Sequence, residues 1–216
     1  MIRVVLADEP DSFEDAVRKP GLRAIAEMVG ERPPRNAGRR YQKIAPRRED
    51  IPSAKYPEFW TSVLDDLMEC YDRVCAYSCF RIHPVTGSRS VDHFAAKSRR
   101  WDKVYEWDNY RLACSLLNAR KRDFADVLDP FEISDSWFRL ELVGFQIVPD
   151  PDLTPDDRIR VEKTVVRLGL DDFRRARARD AERYWAREIS LATLEEESPF
   201  VAKELRRQGK LNAGDA

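Results

Sequence analysis

The sequence predicts an α+β fold, with a small β module set inside a mostly helical chain. Three observations carry that reading. Apolar residues recur at three- and four-residue spacing on both sides of the chain's centre, as amphipathic helices require. Between them, residues 80–93 lose the helical period and read as two short strands around a turn at Gly87-Ser88. The chain of 216 residues is long enough for one sizeable core, and its 43% hydrophobic content separates it from disordered chains although 36% of it is charged.

Residues 1–56 read as an N-terminal extension. An apolar opening at Val4 to Ala7 is far too short for a signal-peptide core. A helix is expected over residues 21–29, followed by a basic, proline-containing segment with Arg32, Arg35, Arg39, Arg40, Lys43, Arg47 and Arg48. An arm along a phosphate backbone and a solvated linker account equally well for that composition.

Residues 57–130 form the central unit. Phe59, Trp60, Val63, Leu64, Leu67 and Met68 share one helical face, so a helix is predicted over residues 57–73, with Pro57 in its first turn. The hairpin at residues 80–93 then delivers Asp92 and His93, and residues 94–106 read as a basic loop. Asp108 is placed to cap a helix over residues 109–124, on which Arg111, Cys114, Asn118 and Lys121 would share a face.

Residues 131–216 are read as a hairpin plus a helical region. The hairpin covers residues 137–148, with Gly144 available for its turn. Helices are expected at residues 154–168, stopped by Gly169, then at 171–187 and 191–208.

Thirty-eight Lys plus Arg balance thirty-nine Asp plus Glu, a net charge of -1, so no global positive field draws the chain to polyanions and any such site is a local patch. The longest uncharged apolar run, residues 142–148, cannot span a bilayer, and a cytoplasmic protein without membrane contact is expected. With two histidines, His83 and His93, there are only two candidate imidazole bases; His83 reads as a turn residue.

The informative pattern is Val91-Asp-His93, then Lys97-Ser98, then Asn109-Tyr-Arg-Leu-Ala-Cys114, then Asn118-Ala-Arg-Lys121. Phosphodiester hydrolysis needs a base for water and neutralisation of charge on the phosphate and the leaving oxygen. His93 supplies an imidazole for the first task. Asp92 and Asn118 supply oxygen ligands of the kind Mg²⁺ prefers. Asp92 and His93, as strand neighbours, serve one site only if the strand ends there and the backbone turns.

Over residues 73–124 this pattern resembles the HNH endonucleases, whose ββα-metal site packs a hairpin on a helix around one divalent cation. The resemblance implies that Asp92 and Asn118 bind Mg²⁺ or Mn²⁺, that His93 is the general base, that Asn109 holds the loop of the base, and that Lys121 is the basic residue closing the motif. More narrowly, residues 105–114 followed by Asp129-Pro-Phe are similar to bacterial HNH proteins found beside ATPases in phage-defence systems such as Septu and retrons.

The resemblance therefore implies an anti-phage endonuclease, with DNA as main substrate, RNA left open, and an AAA- or ABC-type ATPase as a partner. Lys97, Arg99, Arg100, Arg111 and Lys121 are the expected nucleic-acid contacts. Trp101 stands between core packing and base stacking. Many HNH proteins carry a structural zinc on two CxxC pairs; here Cys75 and Cys79 are spaced differently and Cys114 is followed by Leu117 where another cysteine would stand, so an apolar remnant of that knuckle is expected rather than bound zinc. The rival functions are a nucleic-acid-binding protein that has lost activity and a structural subunit docking an ATPase.

Overall fold

The computed structural model describes residues 1–31, 42–83 and 85–215. Arg32, Arg35, Arg39 and Arg40 of the basic segment lie outside these residues. Of its remaining cations, Arg47 pairs with Glu49 and Asp50, and Arg48 with Glu31.

Helix α1 (Lys19–Val29) continues a π-helical turn at Glu14–Arg18 and ends at Gly30, whose φ of 79° closes the last turn. Its face of Ala24, Ile25 and Met28 is buried. At Gly21 the helix meets the Tyr105 ring so closely that an added Cβ would lie 2.3 Å from it. A 3₁₀ segment, Phe59–Val63, leads into α2 (Leu64–Cys70). α2 stops short of residue 73 because Asp72 and Arg73 take φ of 51° and 61°, which reverses the chain.

The central sheet differs from the expected hairpin. Residues 74 and 81 form only an isolated bridge, Val85 and Thr86 are in a turn, and Gly87 N donates to His83 O at 2.7 Å. Strand β1 (Arg89–His93) pairs instead with β2 (Tyr110–Cys114), antiparallel, in the register Arg89↔Cys114, Val91↔Leu112 and His93↔Tyr110. The predicted helix over 109–124 is thus a strand for its first five paired residues and a helix only at α3 (Ser115–Lys121). The physical reason is burial on both faces: Tyr110, Arg111, Leu112 and Ala113 are each at most 4% exposed. A strand covered on both sides shows no polar alternation, and Arg, Leu and Ala favour helix when read locally. Helix α3 follows β2 directly and packs across both strands.

Beyond the sheet, β3 (Phe138–Leu140) pairs with β4 (Ile147–Pro149); the left-handed residue in their connection is Phe145 rather than Gly144. Helix α4 (Pro155–Leu168) is capped by Thr154, whose Oγ1 accepts from Asp157 N, and stopped by Gly169 at φ 60°. A 3₁₀ turn, Leu170–Phe173, precedes α5 (Arg174–Trp185). The last predicted helix is two, α6 (Leu191–Glu197) and α7 (Pro199–Arg207), because Pro199 excludes helical conformation at Ser198, which sits at φ −142°, ψ 60°.

One buried cluster runs through all of these elements. It joins Phe13 and Met28 to Leu67, Tyr110 and Leu117, and these to Phe138, Val161 and Leu205. The first residues are stitched to the centre by Val4 N donating to Pro130 O at 2.8 Å and by Trp107 Nε1 donating to Ala7 O at 2.8 Å. Among the described residues no helix is long and apolar enough to cross a membrane.

Candidate active site at the end of strand β1

Strand β1 ends at His93, and Phe94 N donates to Asn109 O at 2.9 Å as the chain turns into a loop that returns at β2. That ending lets Asp92 and His93 line the same cleft, of about 450 Å³, together with Asn118 from α3, Lys97 and Ser98 from the loop, and Trp60 from the 3₁₀ segment before α2. A larger cleft of about 1170 Å³ lies among Val4, Glu69, Arg73, Arg81 and Glu195 and contains neither His93 nor Asn118. Size is therefore not what marks the chemistry; the smaller cleft holds the imidazole, the carboxylate and the amide.

His93 is 8% exposed, with Trp60 edge-on at 4.6 Å and Tyr110 at 5.1 Å between ring centroids. Its Nε2 lies 3.0 Å from Val104 O. A carbonyl only accepts, so Nε2 carries the proton and Nδ1 is the basic nitrogen. Nδ1 has no partner among the described residues. Burial first, and the Lys97 charge second, lower the His93 pKa from 6.5 to about 3, so the ring is neutral at physiological pH.

Asn109, 4% exposed, clamps the loop beneath this ring. Its Oδ1 accepts from Ala95 N at 2.7 Å, and its Nδ2 donates to Ala95 O at 3.2 Å and Lys103 O at 2.8 Å. Since Val104, next to Lys103, holds His93, the amide fixes the base indirectly. It is a positioning residue.

Asp92 is 2% exposed, with Oδ2 accepting from the Tyr77 hydroxyl and Oδ1 from Lys121 Nζ at 3.1 Å. Burial pushes its carboxyl above the ordinary value, while Lys121 and Tyr77 pull it back. Asn118 Nδ2 donates to Ser90 Oγ and Val91 O, each at 3.1 Å. With both donors committed to β1, the amide oxygen is left unpartnered among the described residues.

Two expected nucleic-acid contacts are corrected by burial. Arg111 forms a bidentate pair with Asp129 at 2.8 and 2.6 Å and lies 3.5 Å from the centre of the Phe131 ring, so it cannot reach a phosphate. Lys121 is fully buried, donating to Asp92, to His93 O at 3.1 Å and to Phe94 O at 3.0 Å. The shared helical face proposed for Arg111, Cys114, Asn118 and Lys121 also disappears, because the first two belong to β2. Arg99 is exposed and has no ion pair among the described residues, Arg100 pairs with Asp102, and Lys103 with Asp108.

The three knuckle cysteines do not converge. Cys114 N donates to Cys75 Sγ at 3.4 Å. Cys79 instead accepts from Ile2 N at 3.3 Å. Among the described residues no group of three or more His, Cys, Asp or Glu side chains is arranged to hold a metal. His83 is a turn residue whose Nδ1 accepts from Val85 N and Thr86 N.

No protein-family model and no curated protein matches this chain. The site rests on its own geometry. Sequence reasoning missed Tyr77, which holds Asp92, and the Asp129 partner of Arg111; neither carries a local signal, since each acts only once β1 and β2 have paired.

Proposed function

We propose that the chain is a metal-dependent endonuclease of the HNH type, hydrolysing phosphodiester bonds in DNA. The observation that carries the reading is a fixed-tautomer, neutral histidine in one cleft with a buried carboxylate and an amide whose oxygen has no partner among the described residues. In this reading β1, β2 and α3 are the ββα-metal module.

The residues fit a hard divalent cation. Asn118 offers an unpartnered amide oxygen, and the Asp92 oxygens each keep a lone pair beyond those used by Tyr77 and Lys121. Mg²⁺ or Mn²⁺, when bound there, supplies neutralisation of charge on the phosphate and on the leaving oxygen. His93 accepts the proton of the attacking water at Nδ1, while Val104 O holds the ring through Nε2. Asn109 keeps that carbonyl in place, and Tyr77 fixes the rotamer of Asp92. Trp60 and Tyr110 exclude bulk water from the imidazole.

One observation favours a second reading, a nucleic-acid-binding protein without turnover. Both Asp92 oxygens already accept hydrogen bonds, one of them from a cation. The roles in phage defence and beside an ATPase rest on the resemblance of residues 73–124 and 105–114 alone.

Supercoiled plasmid incubated with the purified chain and Mg²⁺ or Mn²⁺ tests the proposal, with EDTA and His93→Ala as controls and an ATPase partner in a parallel series. Metal-dependent nicking lost in His93→Ala is expected. Absence of cleavage on DNA and RNA under all these conditions would leave the binding reading.

A further inference from the structure

The cations around the cleft divide into those already neutralised and those that are not. Arg89 pairs with Asp65, and Lys121, beneath the floor, pairs with Asp92. Arg100 and Lys103, farther along the loop, pair with Asp102 and Asp108. Lys97 has no ion pair among the described residues, yet it is only partly exposed. Its ammonium sits 4.2 Å from the centre of the Trp60 ring, and the same ring lies edge-on to His93.

A half-buried ammonium without a counter-ion has lost part of its hydration and received only the face of a ring in return. Its pKa is lowered by that burial, with Glu58 the one charge drawing it back. The position is not the accident of a floppy side chain. The loop is clamped by Asn109 at Ala95, two residues before Lys97, and again at Lys103. The fold thus holds a cation in an unfavourable place, beside the basic imidazole and facing an open cleft. An anion entering the cleft would relieve that cost.

We propose that Lys97, seated on Trp60, is a binding site for a phosphate of a nucleic-acid backbone. The identity of the anion rests on the endonuclease reading; the site itself does not, because it needs neither metal nor turnover. Non-bridging phosphate oxygens accept from the ammonium, while the Trp60 ring keeps the lysine stem from swinging toward solvent. Arg122, exposed, without an ion pair among the described residues and lining the same cleft, extends the positive edge. Lys97 therefore aligns the strand beside His93 before the reaction.

The test is binding of a fluorescein-labelled 20-mer, as duplex and as single strand, measured by anisotropy in EDTA across a KCl series. Wild type, Lys97→Met, Lys97→Arg and the remote surface control Lys163→Met are compared. Lys97→Met is expected to weaken binding about tenfold at low salt and to reduce the slope of log affinity against log salt by about one, as loss of one phosphate contact does. Lys97→Arg should keep most of the affinity, and Lys163→Met should match wild type.

A second readout guards against a merely structural role. Removing an uncompensated charge should leave the melting temperature of Lys97→Met equal to or above that of wild type. A lower melting temperature, an unchanged affinity and salt slope in Lys97→Met, or no oligonucleotide binding by wild type at low salt would each overturn the proposal. Binding that depends on Lys97 without any metal-dependent cleavage would sink the endonuclease reading and leave this site standing. Cleavage and binding indifferent to Lys97→Met would do the reverse.

Discussion

Replacing Lys121 with methionine keeps an unbranched side chain, one atom shorter, and deletes its charge, at a position with no solvent exposure. Three acceptors lose their donor at once: Asp92 Oδ1, His93 O and Phe94 O, at 3.0 to 3.1 Å. Breaking a buried pair from one side leaves an uncompensated charge and costs about 3 to 5 kcal/mol. In a domain of this size that corresponds to a fall in melting temperature of about 6 to 20 °C, at about 2 to 4 °C per kcal/mol. The loss should also depend on pH. Asp92 is already raised by burial, and without Lys121 its carboxyl rises further, so the folded variant binds a proton that the unfolded chain releases. Stability then falls as pH rises, and Lys121→Met should be more damaged at pH 8 than at pH 5. Urea unfolding followed by tryptophan fluorescence at both pH values measures this, and Asp92→Asn introduced into Lys121→Met should recover part of the loss. A penalty below about 1 kcal/mol, the size of an exposed pair, at both pH values would refute the buried-pair reasoning.

His93 gives a pH prediction of opposite sense. Its folded pKa of about 3 lies below the value of 6.5, so its contribution is present above pH 6.5 and drains as pH falls toward 3, with a ceiling of about 5 kcal/mol at 1.36 kcal/mol per unit. His93→Gln should flatten the acid limb of a stability-versus-pH curve, and an unaltered limb would show that the ring is not the group responsible. Asn109→Ala removes three hydrogen bonds within the loop and should cost about 2 to 4 kcal/mol. Hydrogen exchange should then rise at Ala95, and protection equal to wild type would show that Asn109 does not hold the loop. Gly21→Ala should destabilise by about 1 to 3 kcal/mol through overpacking against Tyr105. A double variant, Gly21→Ala with Tyr105→Leu, should regain part of that in thermal melts, and additive losses would place the strain elsewhere.

The elements legible in the sequence were those with local punctuation. Thr154 and Gly169 bracket α4 because cap chemistry acts within a few residues, and the face of Ala24, Ile25 and Met28 announces α1 for the same reason. Strand β2 was not legible, since both of its faces are buried and its partner stands across a loop. Asp92, His93 and Asn118, which the resemblance singled out, line one cleft, and Asn109 stands behind it holding the loop at Ala95. Which basic residues face that cleft was not legible. Arg111 and Lys97 look alike in the sequence, but a carboxylate eighteen residues away consumes the first, while the second has no ion pair among the described residues and sits on the Trp60 ring.

The stitching of Val4 to Pro130 and of Ala7 to Trp107 also orders events during synthesis. The strip at Val4 to Ala7 is synthesised well before Trp107 and Pro130, so it has nothing to pair with until those later segments appear. Contacts of such separation form late, so the strip docks only after residue 130 has left the exit tunnel, although the residues lining the His93 cleft, 53–123, have all been made by then.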